Sequence, residues 1–285
     1  MSQASAIGDH VVNEDVGVRM ANAKKLAAGY TRRKRLMECC YLSTAIVLWL
    51  SNFVIVGRYF AHGKDVEFSQ LMWTPLMVLL AMLLADFISG VVHWGLDTWG
   101  TPETFIFGNF IRSFREHHAN QVAMTHHDFI ETNADTTLPL IPLLLLQRYF
   151  LTLTPRGDAS DNMWGHGRAY NVDNSNACAH VFTLTLMLFV GFTNELHKWA
   201  HDPRPHALAR FLMSTGVVLT PAIHLKHHTG NIDSSYCITV GWLNAPLDAI
   251  NFWRRAEAVV TSLTGSVPRA NDKELLGRLE VPQSK

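Results

Sequence analysis

Histidine is the residue type in this chain with the most chemical reach. There are 15 of them, and nine fall into short groups. His117 and His118 sit in FREHH, His126 and His127 in MTHHDFIET, His197 and His201 in NELHKWAH, and His224, His227 and His228 in HLKHH. His93 stands apart in VVHWG. On a helix His197 and His201 are i,i+4, and His224, His227 and His228 are i,i+3,i+4, so each set shares a face. Asp86, His93 and Asp97 fall along one helical stripe. A lone histidine is most often a satisfied or surface residue, but groups repeated at these spacings point to metal. Neutral imidazole suits zinc, copper, iron and nickel. A catalytic zinc site takes about three protein ligands and a structural one four, so eight or nine converging histidines imply two ions. The ExxH pattern of soluble di-iron bundles is absent, as are HExxH, GxSxG and a phosphate-binding glycine loop. The four cysteines, Cys39, Cys40, Cys178 and Cys237, form no CxxC pair.

The elements that must position these rings are long and apolar. The 24 basic and 24 acidic residues cancel, and only 17% of residues are charged, which excludes a net-basic nucleic-acid binder. Apolar residues concentrate in runs over 39–60, 71–95, 134–153 and 178–197. A helix needs about 20 such residues to cross a bilayer, so an all-α integral membrane protein with about four spans is expected. Gln147 and Arg148 weaken the third run. Residues 207–223 are apolar but short, and read as an interfacial or re-entrant segment. The basic stretch Lys24, Lys25, Arg32, Arg33, Lys34 and Arg35 precedes the first run and should stay cytosolic. That places 97–133, 198–285 and both termini on the cytosolic side. A cytosolic helical cap then carries every histidine group on one membrane face. Residues 1–38 read as a cytosolic N-terminal segment, 39–272 as one membrane-embedded domain, and 273–285 as a tail. A carboxylate at Asp86, inside the second run, is costly in lipid and is expected to be paired or functional.

An all-histidine dinuclear site at a bilayer surface is the arrangement of integral-membrane di-iron desaturases and hydroxylases. DFISGVVHWGLDTWG (86–100), FIRSFREHH (110–118), HHDFIETNAD (126–135), FTNELHKWAH (192–201), HLKHH (224–228) and CITVGWLNAPLDAINFWRR (237–255) together resemble the Kua-type lipid desaturase family. The resemblance implies metal-ligand roles for His93, His117, His118, His127, His197, His201, His224, His227 and His228. It matches Asn194 to an asparagine that holds a water or orients a ligand, and Asp97 to an acid that is a ligand or its partner. It implies two iron ions, O2 as co-substrate, an endoplasmic-reticulum membrane, and an alkyl ether phospholipid that gains a vinyl-ether double bond. Electrons would come from cytochrome b5 and its reductase.

Other readings stay open on residues alone. Acyl-chain desaturation or hydroxylation would use a similar site. A histidine-rich metal transporter would instead place ligands near the bilayer midplane, whereas these sit at helix ends. Arg112, Arg115, Arg254 and Arg255 either hold a lipid phosphate or meet an acidic electron donor, or are solvated charge. Trp73, Trp94, Trp99, Trp199 and Trp242 fall near the expected membrane interfaces. His10, His62, His166, His180 and His206 lie outside the motifs and read as loop or surface residues.

Overall fold

A computed structural model describes residues 31–62, 66–105, 108–152, 176–229 and 232–270, together with residues 17, 21, 24 and 172. Among the described residues every regular element is helical. Helices α1 (Arg32–His62) and α2 (Phe68–Thr98) each have 31 residues. At about 1.5 Å per residue each reaches roughly 46 Å, well beyond an apolar bilayer core of about 30 Å. Their ends must therefore project into the headgroup region or water. The last turns of α2 carry His93 and Asp97.

Next come α3 (Gly108–Ala119), a 3-10 turn (Ala123–His126), α4 (Phe129–Thr137) and α5 (Leu140–Thr152). They are followed by α6 (Ala177–Gly191), α7 (Thr193–His201), α8 (Ala207–Ser214), α9 (Pro221–His224), α10 (Asn244–Ala249) and α11 (Phe252–Thr264). Helices α1 and α2 are long and apolar enough to span, and α6 with α7, bent by 43° at their junction, gives a third candidate. The third apolar run becomes α5, whose 13 residues cover only about 20 Å. Its run was expected from residue 134, but Pro139 supplies no N–H at the junction with α4. The chain passes that point on the bonds Leu138 N–H to Ala134 O and Ile141 N–H to Leu138 O. Residues 154–176, between the third and fourth apolar runs, fall almost wholly outside the described residues, as do the tail over 273–285 and most of 1–38.

Helix α2 packs along α6, and α1 lies against α4 and α5. Ala45, Leu140, Leu144 and Met187 form one layer between them, and Ile55, Val56, Leu151 and Leu184 another. Polar side chains inside the bundle are tied to backbone. Trp49 Nε1 donates to Leu184 O at 2.9 Å, and Asn52 Nδ2 donates to Leu144 O at 3.0 Å. A backbone carbonyl used this way stays satisfied where no water can reach it.

The expectation for Asp86 meets a specific answer. Its buried side chain accepts from Thr239 Oγ1 at 2.9 Å, Val240 N at 2.9 Å, Gly241 N at 2.8 Å and Leu243 N at 3.0 Å. It thus binds the irregular segment 232–243 to α2. Gly241 makes the turn with φ +75°, a conformation that L side chains rarely adopt. Nearby, a Cβ on Gly90 would stand 2.7 Å from Cys237 Sγ and 2.9 Å from the Trp253 ring, so glycine lets the segment press on the helix. Ser89 Oγ accepts from Ile238 N at 3.0 Å, and the Asn244 amide pairs with both backbone groups of Cys237.

Replacing Asp86 with alanine strands three buried N–H groups, each costing about 1–3 kcal/mol. Asp86→Ala should therefore lower the unfolding temperature in detergent sharply and release bound metal, with Asp86→Asn intermediate. An Asp86→Ala protein that melts like the parent would show that this carboxylate is not what fixes the segment.

Candidate metal centre

Four short pieces of chain bring their imidazoles to the end of the bundle. Helix α3 ends in His117 and His118, which diverge by about 100° and so can serve two neighbouring positions. The bend between α6 and α7 turns the i,i+4 pair His197 and His201 across the bundle end. Helix α9 starts on Thr220, whose Oγ1 accepts from Ile223 N, with Pro221 at the first turn. Beyond it the bonds Leu225 N–H to Pro221 O and His227 N–H to His224 O wind the chain tightly enough to return His227 and His228 to the same place.

The rings form two sets of possible metal ligands. One is His117, His197, His201, His224 and His228; the other is His93, His117, His118 and His227. Four Nε2 atoms of the first set crowd together. His197–His224 is 2.8 Å, His201–His224 and His224–His228 are 2.9 Å, and His197–His201 and His201–His228 are 3.2 Å. A ring nitrogen carries at most one proton, so these five approaches cannot all be hydrogen bonds. Lone pairs aimed at one point need a cation between them. Nitrogens around a tetrahedral ion at about 2.0–2.1 Å would lie about 3.3 Å apart, close to what is seen.

Beside the second set the carboxylate Asp97 Oδ2 stands 3.0 Å from His93 Nε2, 2.9 Å from His118 Nε2 and 3.4 Å from His227 Nε2. His117 Nε2 and His93 Nε2 are buried without a hydrogen-bond partner. The far side of two rings is fixed by backbone: His93 Nδ1 lies 3.0 Å from Tyr236 O and His227 Nδ1 lies 2.8 Å from Ser234 O. A carbonyl can only accept, so in both rings Nδ1 carries the proton and Nε2 is left as a bare lone pair facing the cluster. The residues present therefore fit two metal ions.

His127 belongs to neither set. It lines a small cavity of about 20 Å³ beside the centre, with His117, His197, Thr132 and Asn194. Lys198 Nζ donates to its carbonyl at 2.6 Å. Asp128 caps α4 through Ile130 N and Glu131 N, and its pairing with Arg35 holds its pKa down at about 2. His126 is exposed. Asn194 Nδ2 donates to Thr132 O at 3.0 Å, which sets the edge of the cavity. Arg112 and Arg115 are buried, and Arg115 Nε donates to Leu96 O. Arg254 and Arg255 are exposed, and Arg254 pairs with Glu257 at 2.7 Å.

Some expectations for the remaining residues change. His180 is buried in α6, and His206 caps α8 by accepting from Ala209 N. Trp73 and Trp242 are exposed, but Trp94 and Trp199 donate inward to Glu257 and Glu195, because an indole N–H beside a buried carboxylate gains more there than at an interface. His10 and His166 lie outside the described residues. Residue-type reasoning passed over Tyr236, Ser234, Glu257 and Arg269. Arg269 grips Glu257 with two bonds of 2.8 Å and reaches Tyr236 Oη at 3.4 Å, bracing the segment whose carbonyls hold the histidines. For Tyr236 and Ser234 the contribution is a carbonyl, which every residue has. The nearby motif 237–255 was the available signal.

Comparison with known proteins agrees with this geometry. The lipid desaturase domain matches residues 82–271. Plasmanylethanolamine desaturase 1 of Mus musculus is 38% identical over 266 residues, covering 90% of this chain and 88% of that protein. Plasmanylethanolamine desaturase of Myxococcus xanthus is 38% identical over 256 residues, covering 90% and 82%. The chloroplastic fatty acid desaturase 4 of Arabidopsis thaliana is 26% identical over 221 residues, covering 76% and 60%. No solved structure matches.

Burial depresses the pKa values of His117, His224 and His228, and brings that of His227 to about 4. Unfolded histidine titrates near 6.5. Between those values the unfolded chain binds protons that the folded chain refuses, so folding stability falls with falling pH. Metal-free protein in detergent should hold a constant melting temperature above about pH 7 and lose it progressively from about 6.5 down to about 4. A melting temperature that rises on acidification would contradict the buried, neutral state of these rings.

Proposed function

Because the chain belongs to the lipid desaturase family, we propose that it converts an alkyl ether phospholipid of the plasmanylethanolamine type into its vinyl ether. The observation that carries this reading is the pair of histidine sets at one end of an apolar bundle. The 38% identity to two proteins named plasmanylethanolamine desaturase supports the substrate class.

The metals are two iron ions. His197, His201, His224 and His228 would hold one, His93, His118 and His227 would hold the other with Asp97 beside them, and His117 belongs to both sets. When bound, iron would supply the reduction of O2 to two waters, with two hydrogens from adjacent carbons of the lipid, two electrons from a donor and two protons from solvent. Cytochrome b5 and its reductase are the donor on this reading. The chain's own residues position and exclude. Tyr236 and Ser234 carbonyls keep Nδ1 protonated on His93 and His227, and His127 and Asn194 shape the cavity beside the centre. Arg254 and Arg255, both exposed, would meet a lipid phosphate or an acidic electron donor, and the buried Arg112 and Arg115 would act from inside the cap.

In the membrane, the third apolar run (134–153), which contains α5, provides the remaining crossing, and the histidine-bearing cap faces the cytosol. The basic first turn of α1, with Arg32, Arg33, Lys34 and Arg35, favours a cytosolic amino terminus. Both termini are then cytosolic, in the endoplasmic reticulum.

Expression in cells that lack vinyl-ether lipids but are fed an alkyl-ether precursor should produce acid-labile vinyl-ether phospholipid, detectable by mass spectrometry. Acyl desaturation or hydroxylation alone would overturn the substrate and leave the metal centre standing. In the same cells, His127→Ala should abolish product formation and His126→Ala should retain most of it, at matched membrane expression. Loss at His126 with His127 unaffected would show that the wrong ring has been assigned to the site.

A further inference from the structure

Between α1, α4, α5 and α6 runs an apolar groove of about 230 Å³. On α1 it is lined by residues at helical spacing from Leu42 to Leu50, so it follows that helix for about 12 Å. At its other end lie Phe129, Asn133 and Phe192. The neighbours of these residues, Glu131, Thr132 and Asn194, line the small cavity that also contains His117 and His197. The contact of α4 with α7 contributes lining residues to both spaces. It consists of the Phe129–Phe192 ring pair, with centroids 6.0 Å apart, and the bonds Asn194 Nδ2 to Thr132 O and Asn133 Nδ2 to Glu195 Oε2. Asn133 is 2% exposed, and its Oδ1 has no hydrogen-bond partner. An apolar slot that ends beside Asn133 and the polar residues of the small cavity suits a molecule that is hydrocarbon at one end and polar at the other.

We infer that this groove holds the hydrocarbon tail of the substrate lipid, with the Phe129–Phe192 pair as the passage toward the metal centre. This rests on the desaturase reading and deepens it. Desaturation next to the ether oxygen puts the reacting carbons at the head end of the chain. The whole tail must then lie beyond the centre, in apolar surroundings, and the groove leads from the centre's edge back along α1 into the bundle. Its outer part is bounded by Ile46 and Leu50, which are 39% and 49% exposed. Filling that part should shorten the chains accepted without touching a metal ligand.

The test uses the full chain in nanodiscs with an equimolar mixture of short- and long-chain plasmanylethanolamines, supplied with its electron donors. Leu50→Trp and Ile46→Trp should shift the ratio of short- to long-chain product at least threefold, with iron content unchanged. Val47→Trp is the control, since Val47 is 64% exposed on the same helix and does not line the groove. An unchanged ratio in the groove variants at full activity, or an equal shift in the control, overturns the inference while the desaturase reading stands. A second measurement does not depend on turnover. A phospholipid with a diazirine at the end of its alkyl chain should label Ile46, Leu50 and Leu188, and Leu50→Trp should reduce that labelling. Labelling confined to the outward face at Val47 and Val54 would overturn the groove assignment even if the parent protein made no vinyl ether.

Discussion

The structure depends on the mutual approach of lone pairs that repel one another. Eight imidazoles are packed at one end of a helical bundle, and the Nε2 atoms of His197, His201, His224 and His228 stand 2.8 to 3.2 Å apart. Burial keeps His117, His224, His227 and His228 neutral. Neutral rings with their lone pairs turned inward are what a transition metal binds, and what a metal-free protein must hold in place by other means.

Those other means account for much of the rest of the chain. Asp86, in the second long helix, collects three backbone N–H groups and a hydroxyl from residues 239–243. That segment then presents the Tyr236 and Ser234 carbonyls to the outer nitrogens of His93 and His227. Arg269 and the buried Glu257 brace it from the other side. The same carboxylate chemistry that would be costly in lipid is thus spent on backbone donors. On the opposite flank Arg35 grips Asp128, which caps α4 just after His127. An error in either brace would move ligands by fractions of an ångström, which metal coordination tolerates poorly.

How much of this was legible in the sequence varies with the physics involved. The long apolar runs announced α1 and α2, because a span needs little beyond length and apolarity. Grouped histidines announced the metal centre, since i,i+4 spacing alone puts His197 with His201. The third and fourth runs were harder: Pro139 breaks one, and the other bends by 43° after Gly191, and run length does not encode bends. Asp86 could be flagged as needing a partner, but not which one, because its partners are mainly backbone amides 154 to 157 residues away. His127 matched a ligand pattern on the strength of its neighbours in sequence. Its place beside the centre follows from the turn that precedes α4. Trp94 and Trp199 read as interface residues until buried carboxylates appeared next to them.

On the proposed reading these rings hold two metals through nitrogen and oxygen ligands only. Iron-edge X-ray absorption of the purified full-length protein tests it most directly. The expected result is about two irons per chain, a first shell of nitrogen and oxygen with strong imidazole scattering, and loss of that signal in His224→Ala. A single metal per chain, or a shell containing sulfur from cysteine, would contradict it.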